Sequence, residues 1–433
     1  METKELINTK NAWLGEFPAH WAVLRIKNLF QEMDSRSETG SEELLSVSHY
    51  TGVTLKRESL ENEDDNLTNA ESLVGYKLVQ QGDLVINIML AWNGSLGISP
   101  YNGITSPAYC VYRIKGDNNP EYFGYLFSTN LFKAEFRRHS TGIIDSRLRL
   151  YSDKFFSIFT VVPPKDEQDE IVQYIKAQEE KIKLFIQKKQ RFIELLKEQK
   201  SSVINSLMVN GIDKDVEFIT TNLPYFEKIP KHWEIRKLST LTSILTCGLA
   251  STPIYVDDED GVPFLSAQNV KPGRIVLDKF NYISREHHLQ LTKNRKPEKG
   301  DLLVTRVGAG IGEAAIVDVD FEFSVYVSLT HIRTTHELNN EYLMYFFETA
   351  YAKFKNQEGT PLGGGQGNLN VKNLEKYRFP LPPIEEQKQI VSHIKTETAT
   401  IDTAIAKAER EIELIREYKE AMIAEAVMGK RKL

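Results

Sequence analysis

Pro163-Pro164-Lys165-Asp166-Glu167-Gln168 returns 219 positions later (382 − 163) as Pro382-Pro383-Ile384-Glu385-Glu386-Gln387. Two prolines stop what precedes them, because they neither donate to a strand ladder nor continue a helix. The acidic residues that follow suit a helix N-terminus, where the dipole is positive. No Pro or Gly then appears until Gly211 in one copy and Gly429 in the other. Each copy therefore reads as one helix of about 45 residues, a rod of roughly 67 Å at ~1.5 Å per residue.

The rods share a heptad phase. In the first, a falls at Val172, Glu179, Ile186, Ile193, Lys200 and Leu207, and d at Ile175, Ile182, Lys189, Leu196 and Val203. In the second, a falls at Val391, Thr398, Ile405, Ile412, Lys419 and Ala426, and d at Ile394, Ile401, Ala408, Ile415 and Met422. A seam sustained this long is a coiled-coil signal, and the simplest partner of each rod is the other. Parallel pairing would oppose Lys200 to Lys419 inside the seam, where like charges are unfavourable. Antiparallel pairing places Lys200 near Ile394 and Lys419 near Ile175, where each ammonium can reach water. The expectation is an antiparallel pair.

The duplication extends beyond the rods. Phe17-Pro18-Ala19-His20-Trp21 matches Ile229-Pro230-Lys231-His232-Trp233. Gly82-Asp83-Leu84-Val85-Ile86 matches Gly300-Asp301-Leu302-Leu303-Val304, a turn opening a strand. Asn119-Pro120-Glu121 and Asn339-Asn340-Glu341 each open an aromatic helix. A period this long means a duplicated two-part unit, not a short-period solenoid. Without regular βαβ alternation the class is α+β. The expected division is a first globular domain over 1–162, a rod over 163–211, a second globular domain over 212–381 and a second rod over 382–433.

Between the shared landmarks the halves differ. The first has Ser46-Val47-Ser48-His49-Tyr50-Thr51-Gly52, an acidic tract over Glu61 to Asp65, and Trp92-Asn93-Gly94. The second has Leu265-Ser266-Ala267-Gln268-Asn269-Val270 and Gly363-Gly364-Gly365-Gln366-Gly367. A common frame with unlike loops suggests two readers of different targets.

This order of globular part, Pro-Pro-acidic-Glu-Gln helix, globular part and second such helix resembles the specificity subunit of type I restriction–modification systems, over nearly the whole chain. The resemblance implies two target-recognition domains, each reading half of a split sequence in double-stranded DNA, with the helices as an antiparallel spacer. It also implies docking to two methyltransferase (modification) subunits and, in a full complex, to restriction/translocase subunits. Such a subunit is non-catalytic and needs no cofactor or metal of its own. The family has no universal base-reading motif, so no base contact carries over.

Composition fits that frame. The 433 residues are 41% hydrophobic, enough for real cores, and the net charge is −6. DNA contact must then come from local basic patches. No apolar run is long enough to span a membrane. Met1 to Lys10 lacks a signal-peptide pattern. Cys110 and Cys247 are too few for a disulfide framework and read as reduced thiols of a cytoplasmic protein.

Candidate contacts follow from residue type. Leu131 to Leu150 carries Lys133, Arg137, Arg138, Arg147 and Arg149 around a turn with His139, Ser140 and Thr141. Cations neutralise phosphates, and hydroxyls position the backbone. The matching loop of the second half, Gly359 to Asn370, offers Gln366, Asn368 and Asn370, whose amides suit adenine. A second basic run from Lys271 to Lys296 holds Lys271, Arg274, Lys279, Arg285, Lys293, Arg295 and Lys296, beside Gln268 and Asn269. Its counterpart holds Ser48, His49, Tyr50, Lys56 and Arg57. Asn93 and Arg306 follow equivalent strands. For each of these the plain alternative is a solvated loop or helix end.

Several enzyme signatures are incomplete. Val307-Gly308-Ala309-Gly310-Ile311-Gly312 follows a strand, but Ala314-Ala315-Ile316-Val317 reads as another strand, not as the helix that would hold a phosphate. The double prolines lack the preceding amide of adenine methyltransferases. No Walker loop occurs. Asp257 to Asp260 reads as a solvated loop and His287-His288 as surface. The alternatives to a DNA-specificity subunit are a coiled-coil scaffold that binds only proteins, and a stand-alone methyltransferase or nuclease.

Overall fold

A computed structural model describes residues 6–8, 12–49, 51–56, 72–257, 261–308, 310–358 and 368–431. The fold is mixed helix and sheet, with long helices at Lys165–Asn210 and Ile384–Val427. It divides into two compact units, Met1–Lys189 with Arg410–Leu433, and Gln190–Glu409. Each unit thus holds one globular part and a half of each long helix.

In the first unit, a four-stranded antiparallel sheet runs in the order Phe30–Met33, Tyr109–Ile114, Leu84–Asn87, Leu96–Ile98. Leu84–Asn87 is buried along its whole length, because both sheet faces are covered. Alternate residues point to opposite faces of a strand. Leu84 and Ile86 join the large core with the aromatic helix Pro120–Phe127, whereas Val85 joins a smaller core with Leu45, Val47, Val53 and Leu55. The second unit repeats the plan with strands Thr242–Cys247, Leu329–Thr334, Leu302–Thr305 and Ala314–Ile316. Leu302 and Val304 face its large core, and Leu303 faces a smaller core with Leu265, Val270 and Phe323. The second unit adds a sheet of its own, Tyr255–Val256, Asn281–Ser284, Gly261–Leu265 and Ser324–Val325.

The strand before each double proline pairs antiparallel with the strand after the His-Trp element. Phe159–Val162 lies on Ala22–Arg25, and Arg378–Leu381 on Glu234–Lys237. The repeated Glu and Gln of the rods then lock the junction. In the first unit Glu167 accepts from the Trp21 indole at 3.2 Å and contacts His20 at 2.5 Å. In the second Glu386 accepts from Trp233 at 3.1 Å and contacts His232 at 2.8 Å. Gln168 donates to the Pro163 carbonyl at 2.9 Å and accepts from the Asn119 N–H at 2.8 Å. Gln387 does the same with Pro382 at 2.8 Å and Asn339 at 2.8 Å. Asn119 and Asn339 cap their helices by accepting from Glu121 and Tyr342 N–H groups.

The same tryptophans meet the glycines that end the rods. Gly211 has φ +70°, and a Cβ there would stand 3.0 Å from Trp233. Gly429 has φ +66°, and its Cβ would stand 2.8 Å from Trp21. Left-handed backbone and no room make glycine the residue that fits.

The helices run antiparallel in each unit, as the heptads require. In the first unit Ile171, Val172, Ile175 and Ile182 share a core with Met422, Ala426 and Val427. In the second Ile204 and Met208 share one with Ile390, Val391 and Ile394. Every a and d position of the expected frame is buried or half-buried. The register differs from expectation. Lys200 pairs with Asp402 at 2.7 Å rather than sitting by Ile394, and Lys419 pairs with Glu179 at 2.9 Å rather than sitting by Ile175. The seam is thus about one to two turns offset from the expected one. Carboxylates on the partner helix hold these seam lysines at its edge.

Candidate nucleic-acid interface

The two globular parts carry their variable loops on a shared support. Asp83 is 1% exposed and is clamped by both Arg113 donors, at 2.8 and 2.9 Å. It also accepts from the Gln80 N–H at 2.8 Å, which closes the turn before the central strand. Asp301 repeats this with Arg333, both bonds 2.9 Å, and with the Glu298 N–H at 2.8 Å. It adds His331 at 2.6 Å. Burial pushes the Asp301 carboxyl up, but His331, Arg333 and the Glu298 N–H outweigh it and hold it at about 2. These pairs are structural, and they anchor the strands from which the loops leave.

In the first unit three candidate segments converge. The turn Ala91–Asn93 lies against helix Asn130–His139, where Arg137 stacks on the Trp92 ring at 5.4 Å. Leu150 N–H donates to the Ile88 carbonyl at 2.9 Å, so the loop ending there is tied to the segment between the strand Leu84–Asn87 and the turn that holds Asn93. Arg137 also pairs with Asp145 at 2.7 Å, and Arg147 is exposed. Ser140 closes the helix by donating to Phe136 at 2.7 Å, and Thr141 is exposed. Arg138 is held by the buried Glu135, and Arg149 donates to the Leu148 carbonyl at 2.8 Å. Ser48 and His49 stand at the turn of the hairpin Leu45–Ser48 and Gly52–Leu55, with Lys56 just after it. Tyr50 and Arg57 lie outside the described residues.

In the second unit the candidates divide into surface and interior. Lys271, Arg274 and Lys293 are on the surface, Lys271 within 3.9 Å of Glu313. Lys296 pairs with Glu322. Gln268 reaches the Lys279 carbonyl at 3.3 Å. Asn269 is 1% exposed and caps its own turn. Arg295 gives its donors to Thr246 and the Cys247 carbonyl, both 3.1 Å. Arg306 is 6% exposed and bonds the Leu369 carbonyl at 2.9 Å, the Val327 carbonyl at 3.0 Å and Asn368 at 3.3 Å. Asn370 caps the short helix Val371–Leu374. Arg306, Arg295 and Asn269 therefore spend polar atoms inside the fold, whereas Asn370 is exposed and uses its side-chain oxygen as the cap. Arg306 pins the end of the Gly-rich loop to the strand, a role that spacing alone gave no sign of. Gln366 lies outside the described residues.

Two other readings meet the structure here. Gly308–Gly312 closes a hairpin, since Leu302–Thr305 pairs antiparallel with Ala314–Ile316. This is the strand continuation expected, not a phosphate loop. His288, expected at the surface, is instead 1% exposed and bonds Ser324 at 2.9 Å. Desolvation lowers its pKa. Its helix packs that face onto the sheet added in the second unit.

Residues 230–414 match the family model of the type I restriction modification DNA specificity domain. A relative named type I restriction enzyme MjaVIII specificity subunit, from Methanocaldococcus jannaschii, is 23% identical over 95% of this chain and 93% of its own length. Over nearly its whole length the chain is similar to type I restriction–modification specificity subunits. A second relative, the putative MjaX specificity subunit of the same organism, is 22% identical over 98% of this chain and 96% of its own. A solved chain from work on complex assembly and conformational transition of the type I R-M system has a similar fold. Its TM-score is 0.62 at 14% identity, over 96% of this chain and 99% of that one.

Proposed function

We propose that the chain is the non-catalytic DNA-specificity subunit of a type I restriction–modification complex, each globular part reading one half of a bipartite target. The observation that carries this is the repeated support: one Asp–Arg-clamped strand in each half, from which unlike loops leave at the same place. In the first half Ser48, His49, Lys56, Asn93, Arg137, Thr141 and Arg147 face the duplex. In the second Gln268, Lys271, Arg274, Lys293 and Lys296 do. The rods set the spacing of the two readers. Their outer faces keep large apolar side chains in water, Leu184 at 50% and Leu414 at 46% in one unit, Leu195 at 47% in the other. Such faces suit two modification subunits, with restriction/translocase subunits completing the complex. S-adenosylmethionine and ATP chemistry belong to those partners, in the cytoplasm. Among the described residues no helix is long and apolar enough to cross a membrane.

Titrating duplex DNA against the chain with its modification subunits, across salt, tests this. Affinity should fall linearly on a log–log plot as phosphate contacts release counterions. Failure to bind DNA, with the protein complex intact, would leave a protein-only scaffold.

A further inference from the structure

Ile143 is 99% exposed at the tip of the loop between Thr141 and Arg149. Single apolar residues on a surface are ordinary. This one differs because the surrounding chain holds it out. Thr141 and Arg149 exchange both backbone hydrogen bonds, at 2.9 and 3.0 Å, closing the loop at its base. Inside it the Arg147 N–H donates to the Ile144 carbonyl at 2.8 Å and the Leu148 N–H to the Asp145 carbonyl at 3.2 Å. Gly142 lies so close to the returning strand that a Cβ would stand 2.6 Å from the Arg147 carbonyl. Leu148 and Leu150 root the return arm, 8% and 1% exposed. Arg137, braced by Asp145 and Trp92, buttresses one side, and Arg147 is exposed on the loop itself. A β-branched side chain has little rotamer freedom. The result is an exposed apolar side chain on a loop closed at its base, with the exposed Arg147 on the same loop.

A guanidinium on the loop favours a phosphate backbone, and phosphate contacts fix the register in which the other side chains of that loop meet the groove. Isoleucine cannot hydrogen-bond. The one apolar feature on the edges of ordinary bases in B-DNA is the thymine C5-methyl group, in the major groove. We propose that Ile143 is a base-reading residue of the first globular part, recognising a thymine through that methyl group. This rests on the DNA-specificity reading above and names one of its determinants.

The test uses the full chain with its modification subunits. Bound sequences are selected from random duplexes for wild type, Ile143→Asn and Ile143→Val. Wild type should select a bipartite motif with a thymine at one position of one half. Ile143→Asn should flatten preference at that position alone, and Ile143→Val should keep it. Replacing that thymine with deoxyuridine should weaken wild type about fourfold, as expected for one buried methyl group, and leave Ile143→Asn unchanged. Three results would overturn the assignment. One is an unaltered motif for Ile143→Asn. Another is a uniform loss across all sequences, as a base-step wedge or mere packing would give. The third is indifference to deoxyuridine. A wild type that selects no motif would instead defeat the DNA-specificity reading, and Ile143's role with it.

Discussion

The Trp21 indole N–H donates to Glu167 at 3.2 Å, joining the element that opens the first globular part to the first turn of the rod. Glu386 and Trp233 repeat this at 3.1 Å. Residues 146 and 153 positions apart in sequence are thus one joint, made twice. Glu386→Ala leaves the partly buried indole N–H without its acceptor, and should cost about 1–3 kcal/mol. Chemical denaturation of the single variant against wild type measures it, and an unchanged midpoint would remove the joint's assigned role.

Gly211→Ala should destabilise by a similar path. It places a Cβ 3.0 Å from Trp233 on backbone at φ +70°. A cost of about 1 kcal/mol or more is expected from the left-handed backbone alone. Thermal unfolding should show a lower midpoint. Gly273→Ala, also at positive φ but with nothing within 4 Å, separates the backbone contribution from the contact.

The register of the rods can be tested by charge. Lys200→Glu sets a carboxylate against Asp402, and Asp402→Lys in that background should restore the pair. The coupling in a double-mutant cycle should be on the order of 0.5–1 kcal/mol, because the pair is partly exposed and screened by salt. The cycle should give no coupling between Lys200 and His393, which lies on the same rod as Asp402, near the register first expected.

Much of this was legible in the sequence, and the limits are physical. The double proline, the acidic first turn and the heptad seam fix helix start, length and partner, because each acts through neighbours in sequence. The antiparallel sense followed from Lys200 and Lys419 alone. The exact offset did not, because it depends on long side chains finding carboxylates across the seam. The Gly-Asp strand openers were visible, but their Arg113 and Arg333 clamps sit on the neighbouring strand. Among candidate contacts, charge and amide type could not separate Lys271 at the surface from Arg306 in the interior. Only burial and bond partners do that. His288 was missed for the same reason: its helix has one face on a sheet that the sequence did not announce.

Asp301 makes the second unit acid-sensitive. Its carboxyl titrates at about 2 in the fold, below its ordinary value of 3.8. A depressed folded pKa stabilises above the unfolded pKa, and that stabilisation is lost as pH falls from about 4 toward 2. The contribution is on the order of 2 kcal/mol. Asp301→Asn should be less stable at neutral pH and should show a shallower loss of stability over that acid window, read by denaturation at each pH.

Surface and interior cations should separate in DNA binding. Arg147→Ala should weaken binding to all sequences and lower the salt slope by about 1, with stability unchanged. Arg306→Ala should instead lower stability, by leaving the Leu369 and Val327 carbonyls without their donors.

The central claim is that the paired helices set the distance between two half-site readers. Inserting one heptad into each rod, in register, lengthens the pair by ~10.5 Å, about three base pairs at ~3.4 Å each. Base-resolution mapping of methylated adenines in cells carrying this variant then reads the gap between the halves of the target. A gap longer by about three base pairs, with both halves unaltered, is the expected result; an unaltered gap in an active complex would contradict the claim.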